Sequence, residues 1–215
     1  MAAVRSRLLC FPPAGGYAAP YRAWQGELPA GVEVVPIDLE EGLPDVGTLL
    51  AALLPKAIEA ADRPVALFGH SFGALIGYEL AQDLRDRGLP LTRLFVSGCP
   101  APRLARARRL PVPADAPDPE RLRFWFAFAD GYQYEPRKPL DCPISALGGL
   151  RDPLVQPAEL RAWEERTTSG FRLRMLPGSH DLLRESGTYV LRAITADLDH
   201  DPNHDPNHDP NAGEA

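Results

Sequence analysis

The stretch "ALFGHSFGALIGYELA", from Ala66 to Ala81, limits what this chain can fold into more than any other. An apolar run suited to a strand covered on both faces passes through a serine directly into helical spacing. Gly69 and Gly73 frame Ser71 as Gly-x-Ser-x-Gly, with His70 just before the serine. In such a strand–turn–helix the serine backbone is held in a sparsely populated conformation, a strain of roughly 1–3 kcal/mol. Glycines on either side let neighbouring backbone approach, so that Ser71 Oγ stands clear and the new helix aims its amides at a reacting carbonyl. A surface turn needs no such crowding, whereas a serine presented as a nucleophile does.

Serine at its ordinary pKa is a weak nucleophile and needs a base. Outside the C-terminal tail the chain offers only His70 and His180. His70 sits inside the turn, where its side chain points away from Ser71, and reads as structural or as a pocket wall. His180, in "MLPGSHDLL", follows the last strand and is expected to be the general base, because open α/β sheets gather their sites at the C-terminal ends of strands. The acid that fixes its tautomer is expected between serine and histidine in sequence. Asp152 follows "ISALGGLRDP", just past a strand end; Asp130 falls inside an insertion, and Asp181 beside His180 would diverge from it. Charge developing on the substrate oxygen needs donors: the amide of Phe72 at the helix start, and that of Ala14 in the "FPPAGG" loop after the first strand.

Further elements alternate along the chain. Strands are expected at "RLLCF", "VEVVPIDL" (Val32 to Leu39), "VALFG", "RLFVSG", "CPISALGG" and "FRLRML". Helices are expected within Tyr17 to Leu28, over Val46 to Ala61 with Pro55 kinking or ending it, after Ser71 up to Gly88, and at "PAELRAWEERT" and "GTYVLRAITADL". This alternation predicts an α/β fold, a mostly parallel sheet with helices on both faces. Residues 99–139 break the rhythm, first rich in proline and arginine and then aromatic, and read as an insertion of the kind that forms lids or binding loops. One domain over residues 1–198 is expected, followed by a 199–215 tail that repeats Asp-Pro-Asn-His. His200, His204 and His208 would share one helix face as a metal site, but Pro202 and Pro206 forbid that helix, so the tail is expected to be unstructured.

Bulk properties narrow the function classes. A formal charge of −6 argues against a nucleic-acid binder. No apolar run is long enough for a membrane span, and the N-terminus lacks a convincing secretory signal. Cys10, Cys99 and Cys142 are widely spaced and read as buried thiols of a reducing cytoplasm. Monomer is the default expectation, with no metal and no cofactor.

Taken together, "LLCFPPAGGYAAPYRAW", "RPVALFGHSFGALIGYELA", "FVSGCPAP", "YQYEPRKPLDCPISALGGLRDPLV" and "LRMLPGSHDLL" resemble the type II thioesterases that accompany polyketide synthases and nonribosomal peptide synthetases. The resemblance implies an α/β-hydrolase core with a helical lid. It also implies hydrolysis of acyl groups from the phosphopantetheine arm of acyl or peptidyl carrier proteins. Ser71, Asp152 and His180 occupy the family's triad motifs, and Ala14 and Phe72 its oxyanion-hole positions. The chain departs from the family at Pro13, where a histidine is usual, and at Asp181, where an aromatic residue usually follows the histidine. The segments after Leu39 and Leu110 are also shorter than the family's. Phe124, Trp125, Phe126 and Phe128 are candidates to line the acyl channel, with packing of the lid onto the core as the competing role. Arg103, Arg106, Arg108 and Arg109 are candidates to meet an acidic carrier, or else form a solvated face. The rival functions are a small-molecule carboxylesterase of the same fold and a non-catalytic binding module built on it.

Overall fold

The computed structural model describes residues 4–105, 112–113 and 116–199. Six parallel strands form one sheet in the order β2-β1-β3-β4-β5-β6. They are β1 (Ser6–Phe11), β2 (Val32–Pro36), β3 (Val65–His70), β4 (Leu91–Ser97), β5 (Ile144–Gly149) and β6 (Phe171–Leu176). The helices are α1 (Val46–Ala60), α2 (Phe72–Asp86), α3 (Pro119–Asp130), α4 (Pro157–Arg161) and α5 (Leu182–Leu198).

Alternation along β3 shows how the sheet is buried on both sides. Val65 and Leu67 face a core shared with α1, α2 and α4, while Ala66 and Phe68 face one shared with α5 and the 3-10 turn Ala19–Trp24. On the second face Tyr21, Trp24 and Phe68 meet edge to face with centroids 4.8–5.8 Å apart. Asp197 of α5 is fully buried beneath the sheet; its carboxylate accepts from Arg172, Arg174 and Ser145, tying α5 to β5 and β6.

Several elements differ from expectation for identifiable reasons. Between Tyr17 and Leu28 the chain makes only the 3-10 turn Ala19–Trp24, after which Gly26 at φ +96° redirects it. The second strand stops at Pro36, which cannot donate to the ladder and sits on the sheet edge where that costs little. Helix α1 runs on through Pro55; Pro55 and Ala51 are exposed there, so the carbonyl that loses its partner is open to water. Its buried stripe is Val46, Leu49, Leu53, Ala57 and Ala60, so Ile58 faces outward. Helix α2 ends as its glycine signals: Gly88 adopts φ +66° and the Leu89 amide donates to the Leu84 carbonyl at 3.1 Å. Helix α5 starts five residues before the expected Gly187, with non-helical dihedrals at Ser186 (φ −142°, ψ 29°). "PAELRAWEERT" splits into α4 and a 3-10 turn that buries Trp163, whose Nε1 donates to the Cys99 carbonyl at 2.8 Å. All three cysteines are buried, and burial pushes the Cys10 thiol well above its ordinary pKa.

Among the described residues no helix is long and apolar enough to cross a membrane. The tail histidines, with Arg106, Arg108 and Arg109, lie outside the described residues.

Candidate active site

The C-terminal edge of the sheet gathers the residues that matter: Ala14 follows β1, Ser71 follows β3, Asp152 follows β5 and His180 follows β6. At the centre, Ser71 adopts φ 52° and ψ −121°, the one positive φ at a non-glycine among the described residues. The surrounding backbone enforces it. The Ser71 amide donates to the Ser97 carbonyl at 2.7 Å, and the Ser71 carbonyl accepts from the Ala74 amide at 2.9 Å.

The flanking glycines are sterically required. A Cβ on Gly69 would stand 2.2 Å from the Gly73 carbonyl oxygen, and one on Gly73 would stand 2.4 Å from the carbonyl oxygens of Phe11 and Pro12. Gly69→Ala is therefore expected to cost about 1–3 kcal/mol or more through overpacking against backbone that cannot yield. Gly187→Ala, in a helix with open space at the Cβ position, should be neutral or gain up to about 1 kcal/mol. Urea denaturation midpoints of the two variants check this, and equal midpoints would contradict it.

Three side chains then meet in a line. His180 Nε2 lies 3.2 Å from Ser71 Oγ, and His180 Nδ1 lies 2.9 Å from Asp152 Oδ2. The Asp152 carboxylate is wholly shielded from solvent, with Oδ1 accepting from the Leu154 and Val155 amides at 2.7 and 3.1 Å. Burial pushes its pKa up, but the His180 hydrogen bond and charge, joined by the two amides, hold it below the usual carboxylate range. Asp152 stays ionised, facing an imidazole nitrogen.

The His180 loop reaches its place because β5 ends in glycine. A Cβ on Gly149 would lie 2.3 Å from the Ser179 carbonyl oxygen, so only glycine lets the two strand ends approach this closely. The Arg151 amide donates to the Gly178 carbonyl at 2.9 Å, and Glu185 binds the Ser179 amide and hydroxyl. Asp181 turns away toward Arg184, as its adjacency to His180 suggested.

His70 is a structural neighbour. It is buried, Nδ1 lies 3.0 Å from Ser97 Oγ, and its ring centroid is 5.3 Å from that of His180. Burial and the nearby His180 charge bring its pKa down to about 4. A neutral His70 adds no positive charge to oppose an imidazolium forming at His180.

Ala14 and Phe72 both border the cleft above Ser71. Phe72 is the first residue of α2, where an amide has no acceptor within its own helix. Ala14 is a corner of the turn Pro13–Gly16, closed by the Gly16 amide donating to the Pro13 carbonyl at 2.9 Å, with Gly15 at φ +73°. Arg121 of α3 braces this turn: Nε donates to the Gly15 carbonyl at 3.1 Å, its guanidinium lies 4.1 Å over the Tyr17 ring, and it pairs with Glu41. Arg121 was not legible as a site neighbour, because its contacts lie about a hundred residues away in sequence.

The cleft beside Ser71 has a volume of about 100 Å³ and an apolar wall that includes Leu75, Ala105, Leu154 and Val155. Of the aromatic candidates, Phe126 lines it. Trp125 is 1% exposed within the core, with Nε1 at 3.4 Å from Glu41. Phe128 packs edge to face on Phe72, while Phe124 is 40% exposed and stacks on Phe128. Helix α3 instead adds Ala129 and Asp130, one turn beyond Phe126. Arg103 is exposed and lies 3.4 Å from Glu165.

Comparison with known proteins agrees with this geometry. Residues 6–130 match the thioesterase domain family. The chain is 31% identical to a protein named linear gramicidin dehydrogenase LgrE from Brevibacillus parabrevis, over 89% of this chain and 87% of that one. Among solved structures it is similar to the RedJ thioesterase of the prodiginine pathway in Streptomyces coelicolor, at 35% identity and a TM-score of 0.80, covering 91% of this chain and 86% of that one. It is equally similar in fold to the type II thioesterase BorB from the borrelidin cluster, at 31% identity and a TM-score of 0.80, covering 91% and 94%.

Proposed function

The chain belongs to the thioesterase domain family, and on that premise we propose that it hydrolyses acyl thioesters held on the phosphopantetheine arm of acyl or peptidyl carrier proteins, as an editing enzyme of polyketide or nonribosomal peptide synthesis. One observation carries the proposal: His180 bridges Ser71 and the shielded Asp152 at the floor of an apolar cleft. His180 Nε2 takes the Ser71 proton as Oγ attacks the thioester carbonyl. Amides of Phe72 and Ala14 receive the oxyanion, and loss of one such donor typically raises a barrier by about 2.7–4 kcal/mol. The imidazolium returns its proton to the departing pantetheine sulfur, leaving acyl-Ser71. Water, deprotonated by the same imidazole, releases the carboxylic acid and restores the serine. Asp152 holds the tautomer and balances the transient charge, and neutral His70 leaves that charge unopposed. The segment around α3 acts as the lid, with Phe126 and Ala129 against the acyl group.

The dehydrogenase in the name of LgrE describes that protein; a serine aligned with an imidazole and a carboxylate is the apparatus of acyl transfer. Intact-mass measurement of carrier proteins bearing different acyl groups tests the proposal. Added enzyme is expected to return them to the free phosphopantetheine mass. Hydrolysis of simple oxygen esters with carrier-bound acyl groups left intact would make the protein a carboxylesterase instead.

A further inference from the structure

We infer that Tyr132 is the acyl-length stop of the cleft, a partition between the space beside Ser71 and a second cavity that lies behind it. The inference rests on the acyl-serine chemistry proposed above and names what limits its substrate. Tyr132 borders both spaces: the cleft of about 100 Å³ and a second cavity of about 470 Å³. The two follow one another along α2. Leu75 lines the first and Glu79 the second, one helical turn on, a displacement of about 6 Å along the axis. An acyl chain on Ser71 that grows past Leu75 therefore meets the Tyr132 ring.

The ring is held there. Its hydroxyl donates to Glu79 Oε1 at 2.5 Å, and its amide donates to the Ala129 carbonyl at 3.0 Å at the end of α3. Burial pushes the Glu79 carboxyl above its usual pKa while the Tyr132 hydrogen bond and Arg137 pull it back, so the phenol is one of the few groups that compensate this shielded acid. Swinging the ring aside would leave the shielded Glu79 carboxyl without that donor. The space beyond has a mixed wall, Val46 and Leu50 beside Asp45, Glu79, Glu135 and Arg137, with room for an alkyl chain once the ring is removed.

The test measures kcat/KM for butyryl, octanoyl and dodecanoyl groups, each as carrier thioester and as nitrophenyl ester, in the native chain, Tyr132→Ala and Tyr132→Phe. The dodecanoyl-to-butyryl ratio is expected to rise about tenfold or more in Tyr132→Ala. It should rise less in Tyr132→Phe, which keeps the ring and loses only the tether to Glu79. An unchanged ratio in Tyr132→Phe and in whatever Tyr132→Ala folds would overturn the partition. If no carrier thioester is cleaved but the ester ratio shifts, the partition stands and the carrier-protein function falls. If carriers are cleaved and neither ratio moves, the reverse holds.

Discussion

Ser71→Ala is expected to lower kcat for acyl-thioester hydrolysis by on the order of 10⁶-fold, with little change in thermal stability. The size follows from the site acting as a unit. Without Oγ there is nothing for His180 to activate, and what survives is substrate binding and oxyanion stabilisation by the amides near Phe72 and Ala14. Stability is spared because the strained φ of 52° is imposed by backbone hydrogen bonds, the Ser71 amide donating to Ser97 and the Ala74 amide donating to Ser71, which alanine leaves in place. Alanine removes a single hydroxyl whose one side-chain partner among the described residues is His180. Steady-state turnover and a melting curve on the same sample check both halves. A loss of only tenfold, in folded protein, would mean that another group attacks the thioester.

Asp152→Asn is expected to cost about 10⁴-fold in kcat, a loss far larger than removing one charge from a solvated site would give. The local hydrogen bonds dictate why. Oδ1 of Asp152 already accepts from two backbone amides, those of Leu154 and Val155. In the variant only the asparagine carbonyl oxygen can take that place, so the NH₂ group must face His180. It then donates to Nδ1 and leaves the ring proton on Nε2, where the imidazole can no longer accept from Ser71. Activity should recover toward high pH only weakly, since the fault is the tautomer and not the ionisation of His180. A pH–rate profile and NMR of the imidazole nitrogens check this; an Nδ1-protonated ring in the variant would contradict it.

Much of this was legible in the chain because the informative features are local. The Ser71 turn announces itself through two glycines that have no room for a Cβ, at the junction of a continuous apolar run and a helix. Asp152 and His180 each follow a strand, and strand ends in a parallel sheet converge. The aromatic run was harder. Phe124, Trp125, Phe126 and Phe128 carry both expected roles, lining and packing, because a helix sends neighbours in different directions. What α3 adds to the cleft is the i, i+3, i+4 set Phe126, Ala129 and Asp130, a period visible in the sequence, whereas Trp125 and Phe128 turn toward the core. Gly149, Arg121 and Tyr132 carried no local signal at all. Each matters through a contact made at long range: with Ser179, with the Gly15 turn, and with Glu79. Of the two outcomes expected at Pro55, the helix does not end there: α1 continues to Ala60, and the carbonyl that loses its partner is open to water.

The most direct measurement is covalent trapping of the serine. Treated with an alkyl fluorophosphonate, the folded protein is expected to gain the mass of one phosphonyl group, mapped to the peptide carrying Ser71, with carrier hydrolysis lost in proportion. Folded protein that takes up no label, or that carries it on another residue while hydrolysis stops, would contradict an activated Ser71 at the heart of the enzyme.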